Sequence, residues 1–162
     1  MPTLAVRADW RAYMDTGNGT PKYDLIGLGF TSFTESKNPM EYSRRYVHER
    51  TERTDVTGYS TSIDYEMDMY VDDPVCEQIK IVHDEELIGS AAQRSVVLVN
   101  LFEKGVTSGS FVAYQRNFAV IPDSKGDGTD ALIYSGSLRA VGDSIKGEYD
   151  PILNLFTPDD ED

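Results

Sequence analysis

Residues 59–72 read YSTSIDYEMDMYVD, and this stretch constrains the fold more than any other part of the chain. Its odd positions are Tyr59, Thr61, Ile63, Tyr65, Met67, Met69 and Val71. Its even positions are Ser60, Ser62, Asp64, Glu66, Asp68, Tyr70 and Asp72. Successive side chains on a strand point to opposite faces, so a period of two predicts a strand with one buried face and one wet face. Asp64, Glu66 and Asp68 then stand in a row on the wet face. Neighbouring carboxylates repel one another, so that face has to be well solvated.

Most of the remaining chain is strand-like too. Residues 23–34 are aromatic and β-branched, with Gly27 and Gly29 marking a bulge or a close backbone approach. Residues 95–102 (SVVLVNLF) form a short apolar run suited to a strand covered on both faces. Residues 110–121 and 131–141 are further strands, separated by a turn-rich cluster at 122–128. Shorter strands are expected at 145–149 and 152–156. One segment differs: Asp73-Pro74 is a helix start, and Val75, Ile79 and Val82 follow at helical spacing, with Gly89 placed as a C-cap. The expected architecture is mostly β, with one flanking helix over about 73–87 and a long loop between strands over about 41–55. The chain reads as a single domain over 1–157. Residues 1–20 form an N-terminal arm, and the acidic tail at 158–162 is expected to be disordered.

Charge narrows the function. The 162 residues carry 28 acids against 15 lysines and arginines, a net of −13, so the surface should repel nucleic acid and anionic membranes. Residues 56–88 hold nine of those carboxylates and a single base, Lys80. The lone Cys76 excludes a disulfide framework and a multi-cysteine zinc site, and His48 and His83 leave little for a histidine-rich metal centre. No apolar run approaches the roughly 20 residues of a membrane-spanning helix, and the first residues lack a secretory-signal pattern. These features together predict a soluble protein of a reducing compartment.

Catalytic signals are weak. Asp64 and Glu66, ~7 Å apart along a strand, have a spacing that suits a glycosidase pair, but the surrounding Ser and Thr build no apolar pocket to raise a carboxyl pKa. Residues 123–130 partly match an acidic calcium loop, yet Lys125 stands where the second acid belongs. Cys76 lacks an adjacent base and reads as a buried structural thiol. No nucleophile elbow, phosphate-binding glycine loop or zinc-protease motif is present. The expectation is a protein with no catalytic residues, no metal and no cofactor. In the 41–55 stretch, Arg44, Arg45, Arg50 and Arg53 stand among Glu41, Glu49, Glu52 and Asp55, with Tyr42 and Tyr46. That composition fits either a solvated mobile loop or an interface, because Arg and Tyr are the residues enriched at binding hot spots.

The order of features also carries a resemblance. Residues 44–50 (RRYVHER) lead into 55–60 (DVTGYS) and then the alternating strand. Asp72-Asp73-Pro74-Val75 opens the single helix, Ala92-Gln93 precedes the apolar strand, and Tyr114-Gln115-Arg116 lies in the next one. Residues 134–138 (YSGSL) and Val141-Gly142-Asp143 close the domain. In this order and spacing, over about residues 22–157, the chain resembles the major tail proteins of long-tailed, non-contractile bacteriophages, the subunits of the tail tube.

The resemblance implies a tail-tube β-sandwich or barrel. Its subunits form hexameric rings that stack into a hollow tube, and the genome passes through the bore during ejection. It implies a non-enzymatic virion protein assembled in the host cytoplasm, whose partners are copies of itself and the tape-measure, tail terminator and distal tail proteins. DNA would pass through without being specifically bound. Carried onto this sequence, Asp64, Glu66 and Asp68 become candidates to line the lumen. Arg44, Arg45, Tyr46, Glu49, Arg50 and Arg53 become candidates for an inter-ring stacking loop. A conduit must not bind its cargo, so carboxylates lining the bore agree with the charge argument. Two alternatives stay open: a tube protein of a contractile tail or injection machine, and a monomeric β-barrel that binds a small ligand. Whether the acidic strand faces the bore or the outside is open as well.

Overall fold

The computed structural model describes residues 1–126 and 128–159. After a short 3₁₀ turn at Arg7–Asp9 come β1 (Trp10–Asp15), β2 (Tyr23–Leu25), β3 (Phe30–Ser36), β4 (Pro39–Arg44), β5 (Arg53–Tyr59) and β6 (Ser62–Asp68). The helix α1 (Pro74–Glu85) and a second 3₁₀ turn precede β7 (Gln93–Lys104), β8 (Phe111–Gly126), β9 (Ile133–Asp150) and β10 (Leu155–Pro158). The protein is mostly β with one flanking helix, as expected. Eight strands form one antiparallel sheet in the order β2-β1-β7-β8-β9-β6-β3, with β10 pairing on β9, and β4 and β5 stand apart as a two-stranded ribbon.

The sheet is curled into a half-barrel. Bulges interrupt the β8–β9 register between Gln115 and Asn117 and between Pro122 and Ser124, and bulges bend and twist the strands that carry them. The curl brings the two ends of the sheet together. The Arg7 guanidinium donates to the Trp10 carbonyl on β1 (2.9 Å) and the Phe33 carbonyl on β3 (3.2 Å), and the Trp10 and Phe33 rings lie 5.8 Å apart.

α1 covers the concave core. Its Val75, Cys76, Ile79 and Val82 pack on Ile63, Tyr65 and Met67 of β6, Val96 and Leu98 of β7, Phe118 and Val120 of β8, and Tyr134 and Leu138 of β9. The helix starts where expected: the Asp73 carboxylate accepts from the Cys76 N–H (3.1 Å) and Pro74 occupies the first turn. It ends earlier than Gly89, at Glu86 in the left-handed conformation. Cys76 is buried, its thiol pointing at the Leu28 carbonyl (3.6 Å), and burial pushes its pKa up to about 11, as befits a structural thiol. In β7, Val96, Val97, Leu98 and Val99 are all buried, which confirms a strand covered on both faces. Val97 and Val99 join Tyr13, Ala113 and Tyr149 in a second, smaller cluster.

Several expectations are corrected. The 41–55 stretch is no loop: residues 39–44 and 53–59 pair as the β4–β5 ribbon, and only 45–52 connect them. Charges stand on both sides of a ribbon that is wet on both faces, so no hydrophobic alternation betrays it. The 59–72 strand is cut at residues 60–61. Asn38, at φ 47°, donates through its side-chain amide to the Ser60 carbonyl (2.9 Å) and Ser62 Oγ (3.1 Å), fixing the point where the ribbon leaves the sheet. The 23–34 segment splits into β2 and β3 because Gly29 sits at φ 88°, outside the strand region. Residues 10–15, taken as part of an arm, are the sheet strand β1 with Ala12, Tyr13 and Met14 buried. The turn cluster 122–128 is mostly strand, since β8 continues to Gly126 opposite Ile133. The strands expected at 131–141 and 145–149 are one strand, β9, and the last strand lies at 155–158 rather than 152–156. Pro158 ends β10 and the Asp159 N–H donates to the Lys146 carbonyl, so ordered chain reaches into the tail; residues 160–162 lie outside the described residues.

Candidate functional site: an acidic sheet face and a projecting ribbon

From Ile63 to Asp68 the predicted alternation holds: Ile63, Tyr65 and Met67 are buried, Asp64 and Glu66 are exposed, and Asp68 is half-buried; outside that span it fails, for Ser62, expected on the wet face, is buried, and Tyr59 and Val71, expected on the buried face, are exposed. The buried set faces α1, where the Tyr65 hydroxyl meets His83 Nε2 at 2.7 Å and the His83 ring stands edge-on to Tyr134. Desolvation lowers the His83 pKa, with Lys125 adding to the effect and Asp84 opposing it. Tyr65 needs close packing against β9, and Gly136 provides it. A Cβ there would meet the Tyr65 hydroxyl at 2.8 Å and collide with the Ile121 carbonyl.

The three carboxylates therefore occupy the side of the sheet away from the helix. Register fills in their surroundings. Asp64 lies opposite Ser137 on β9 and Thr34 on β3, and Glu66 lies opposite Ser135 and Ser32. Directly opposed residues share a face, so the carboxylates are embedded among short hydroxyl side chains. Arg139, two residues beyond Ser137, adds a cation to this side, and a shallow hollow of about 410 Å³ runs between Asp64, Ser137 and Arg139. A general acid needs an apolar pocket to hold its proton, and these groups offer none. Among the described residues no group of three or more His, Cys, Asp or Glu is placed to hold a metal ion.

The ribbon gathers some of the candidate stacking residues and separates others. Arg44 pairs with Asp55 across the strands and stacks over Tyr42 (4.9 Å) and Tyr46 (5.7 Å). Arg53 stacks over Tyr46 (5.6 Å) and its Nε donates to Glu49 Oε2 at 2.7 Å. Thus Arg44, Tyr46, Glu49 and Arg53 form one knot. Arg45 and Arg50 lie outside it and, with Arg44 and Glu52, line an open hollow of about 460 Å³ at the tip. Sequence reasoning singled out Tyr42, which is more than half exposed, but missed the apolar residues around it: Met40, Val56 and Tyr59 are likewise more than half exposed, and Val47 at the tip is fully exposed. It missed Arg139 and the serines flanking the acids as well. The Ser135-Gly136-Ser137 alternation was the available signal, but it acquires meaning only once β9 is known to pair with β6.

No family model matches the chain, and no curated protein matches it in sequence. Solved structures do match in shape. A chain from the tail of an empty gene transfer agent particle, refined helically with C6 symmetry, is similar with TM-score 0.59 over 87% of this chain and 97% of that one, at 14% identity. A chain of the anti-feeding prophage baseplate, 6-fold symmetrised, is similar with TM-score 0.51 over 90% of this chain and 97% of that one, also at 14% identity. The curled sheet with its single helix is a fold found in phage-tail-type assemblies.

Proposed function

We propose that this chain is a structural protein of a virion tail, and specifically the subunit of the tail tube: six copies close into a ring, rings stack, and the genome passes along the bore. The observation that carries this reading is the division of the molecule. The helix fills one side of the curled sheet, the other side presents carboxylates and hydroxyls on β6, β9 and β3, and a ribbon with exposed apolar and arginine side chains projects from the body. An isolated two-stranded ribbon is marginal by itself, and exposed Tyr, Val and Met beside Arg are what an interface uses. Copies joined with the acidic side inward give a wall that repels phosphates. The ribbon reaching the next ring gives a head-to-tail contact that propagates. Its arginines meet acids of the neighbouring copy, which sets register more than affinity. The role is structural rather than catalytic. The six-fold symmetry of both assemblies containing similar chains supports the ring.

The similarity to a baseplate chain favours a second reading, a ring subunit of a contractile tail or injection machine, which would also need an outer surface that engages a sheath. Negative-stain electron microscopy of the concentrated protein tests both. Hollow tubes of uniform width support the tube reading, and isolated six-fold rings support the second. Monomers at every concentration, with or without a tail-initiating complex, overturn both.

A further inference from the structure

An acidic, apolar corner and a basic, apolar hollow lie on opposite flanks of the molecule. The corner follows α1. Glu86 ends the helix in the left-handed conformation at φ 51°, and Gly89 is left-handed again at φ 62°. Between them Leu87 packs against the core, and its N–H donates to the Val82 carbonyl (3.4 Å). Ile88, extended and next in line, therefore points the other way and is 84% exposed. The lysines nearby, Lys80 and Lys125, are both taken by Asp84 (3.5 and 3.0 Å). Glu85 and Glu86 are exposed and make no ion pair among the described residues. The result is an apolar knob flanked by two free carboxylates.

The hollow lies at the seam where the two ends of the sheet meet. It measures about 580 Å³ and opens between β1, residues 25–27 and β3. Leu25, Ile26 and Phe30 give it an apolar lining, and Arg7 and Arg11 stand in its wall. Both arginines are exposed, and their hydrogen bonds go to backbone carbonyls: Arg7 to Trp10 and Phe33, Arg11 Nε to Ala8 (3.2 Å). Neither pairs with a carboxylate among the described residues.

α1 keeps the two features apart. Its first turn sits near the seam, where Cys76 Sγ points at the Leu28 carbonyl, and its last turn sits on β8 and β9, where Asp84 meets Lys125 and the Tyr134 hydroxyl. Its twelve residues rise ~18 Å between those ends. Complementary patches on opposite flanks meet only between copies, head to tail, and such a contact closes into a ring when the rotation allows. Each copy carries −13, so two copies repel unless opposite charges are set together where they touch.

We propose that the Glu85–Ile88 corner of one copy docks in the seam hollow of the next, with Ile88 entering beside Leu25, Ile26 and Phe30 and the two glutamates pairing with Arg7 and Arg11. This rests on the ring reading and names the contact between neighbours within a ring, distinct from the contact the ribbon makes between rings.

Cross-linking tests the contact. Arg11→Cys and Ile88→Cys are made singly and together; both sites are exposed, whereas the native Cys76 is buried. With a short bis-maleimide, an assembled mixture of the two single variants is expected to link into dimers, and neither variant alone is. The double variant is expected to give a ladder ending at six. Separately, Arg11→Glu and Glu85→Arg are each expected to raise the concentration for half-assembly at least about tenfold, and their combination to recover most of the loss, with urea midpoints unchanged. Rings or tubes that form with neither the cross-link nor the charge effect overturn this contact and leave the tube reading standing. Links formed by Ile88→Cys alone indicate a two-fold contact and overturn head-to-tail docking. Monomers of the unaltered chain at every concentration, with or without a tail-initiating complex, overturn the ring reading and this contact with it.

Discussion

Changing Asp64, Glu66 and Asp68 together to Lys reverses the sign of one side of the sheet and turns the repulsion argument into a number. Each exchange adds two charges, so three take the formal charge from −13 to −7. Asp64 and Glu66 are exposed and Asp68 half-buried, all on the side opposite α1, so a lysine at each site reaches solvent without touching the core. The three positions span ~13 Å of strand, over which a duplex presents about eight phosphates, so phosphate supply does not limit contact. With three lysines each neutralising one phosphate, the logarithm of the binding constant falls with the logarithm of salt at a slope of about −2.7. Affinity then drops about 40-fold between about 50 and 200 mM salt. Fluorescence anisotropy of a short labelled duplex measures this, with circular dichroism confirming the fold. The unaltered chain is expected to show no binding over the same range. Equal binding by both chains, or a gain in affinity that ignores salt, refutes the reasoning. In a phage carrying the variant, tails should assemble and genome ejection should fail; normal infectivity counts against a bore-lining role.

Arg44→Glu combined with Arg45→Glu should abolish tube growth in negative stain and leave the unfolding midpoint unchanged, because the ribbon shares no strand with the eight-stranded sheet; unimpaired tubes sink the stacking role. Burial lowers the His83 pKa in the folded chain below its ordinary value near 6.5, so the unfolded chain binds the proton more readily. The stability that His83 contributes is therefore complete above about pH 6.5 and declines as pH falls below it. Urea midpoints of the unaltered chain and His83→Gln should converge between about pH 7.5 and pH 5.5, and a constant gap between them would overturn this account.

The sequence by itself determined the elements whose signals are local. Val75, Ile79 and Val82 behind Asp73-Pro74 can bury one stripe only as a helix, and the alternation from Ile63 to Met67 can bury one face only as a strand. The four consecutive apolar residues 96–99 require cover on both sides, and the sheet and its two clusters supply it. The opposition of a buried side and a carboxylate side on β6 was legible for the same reason, since the pleat leaves no choice.

Only the tertiary structure decided what those faces meet. That Asp64 sits between Ser137 and Thr34, and Glu66 between Ser135 and Ser32, is a matter of register, which no single strand encodes. The ribbon escaped notice because a strand pair wet on both faces needs no alternation, and its departure from the sheet hangs on one left-handed asparagine, Asn38. β8 and β9 ran through apparent turn residues because fourteen paired positions outweigh the local preferences of Pro122, Asp123 and Gly126. Arg116 shows the same limit: between Gln115 and Asn117 it reads as an ordinary polar strand residue, and only the convergence of β8, the edge of β9 and the ribbon root leaves its Nε buried and without an acceptor among the described residues. Local pattern fixes what a segment must bury, and pairing between distant segments fixes what it is buried against.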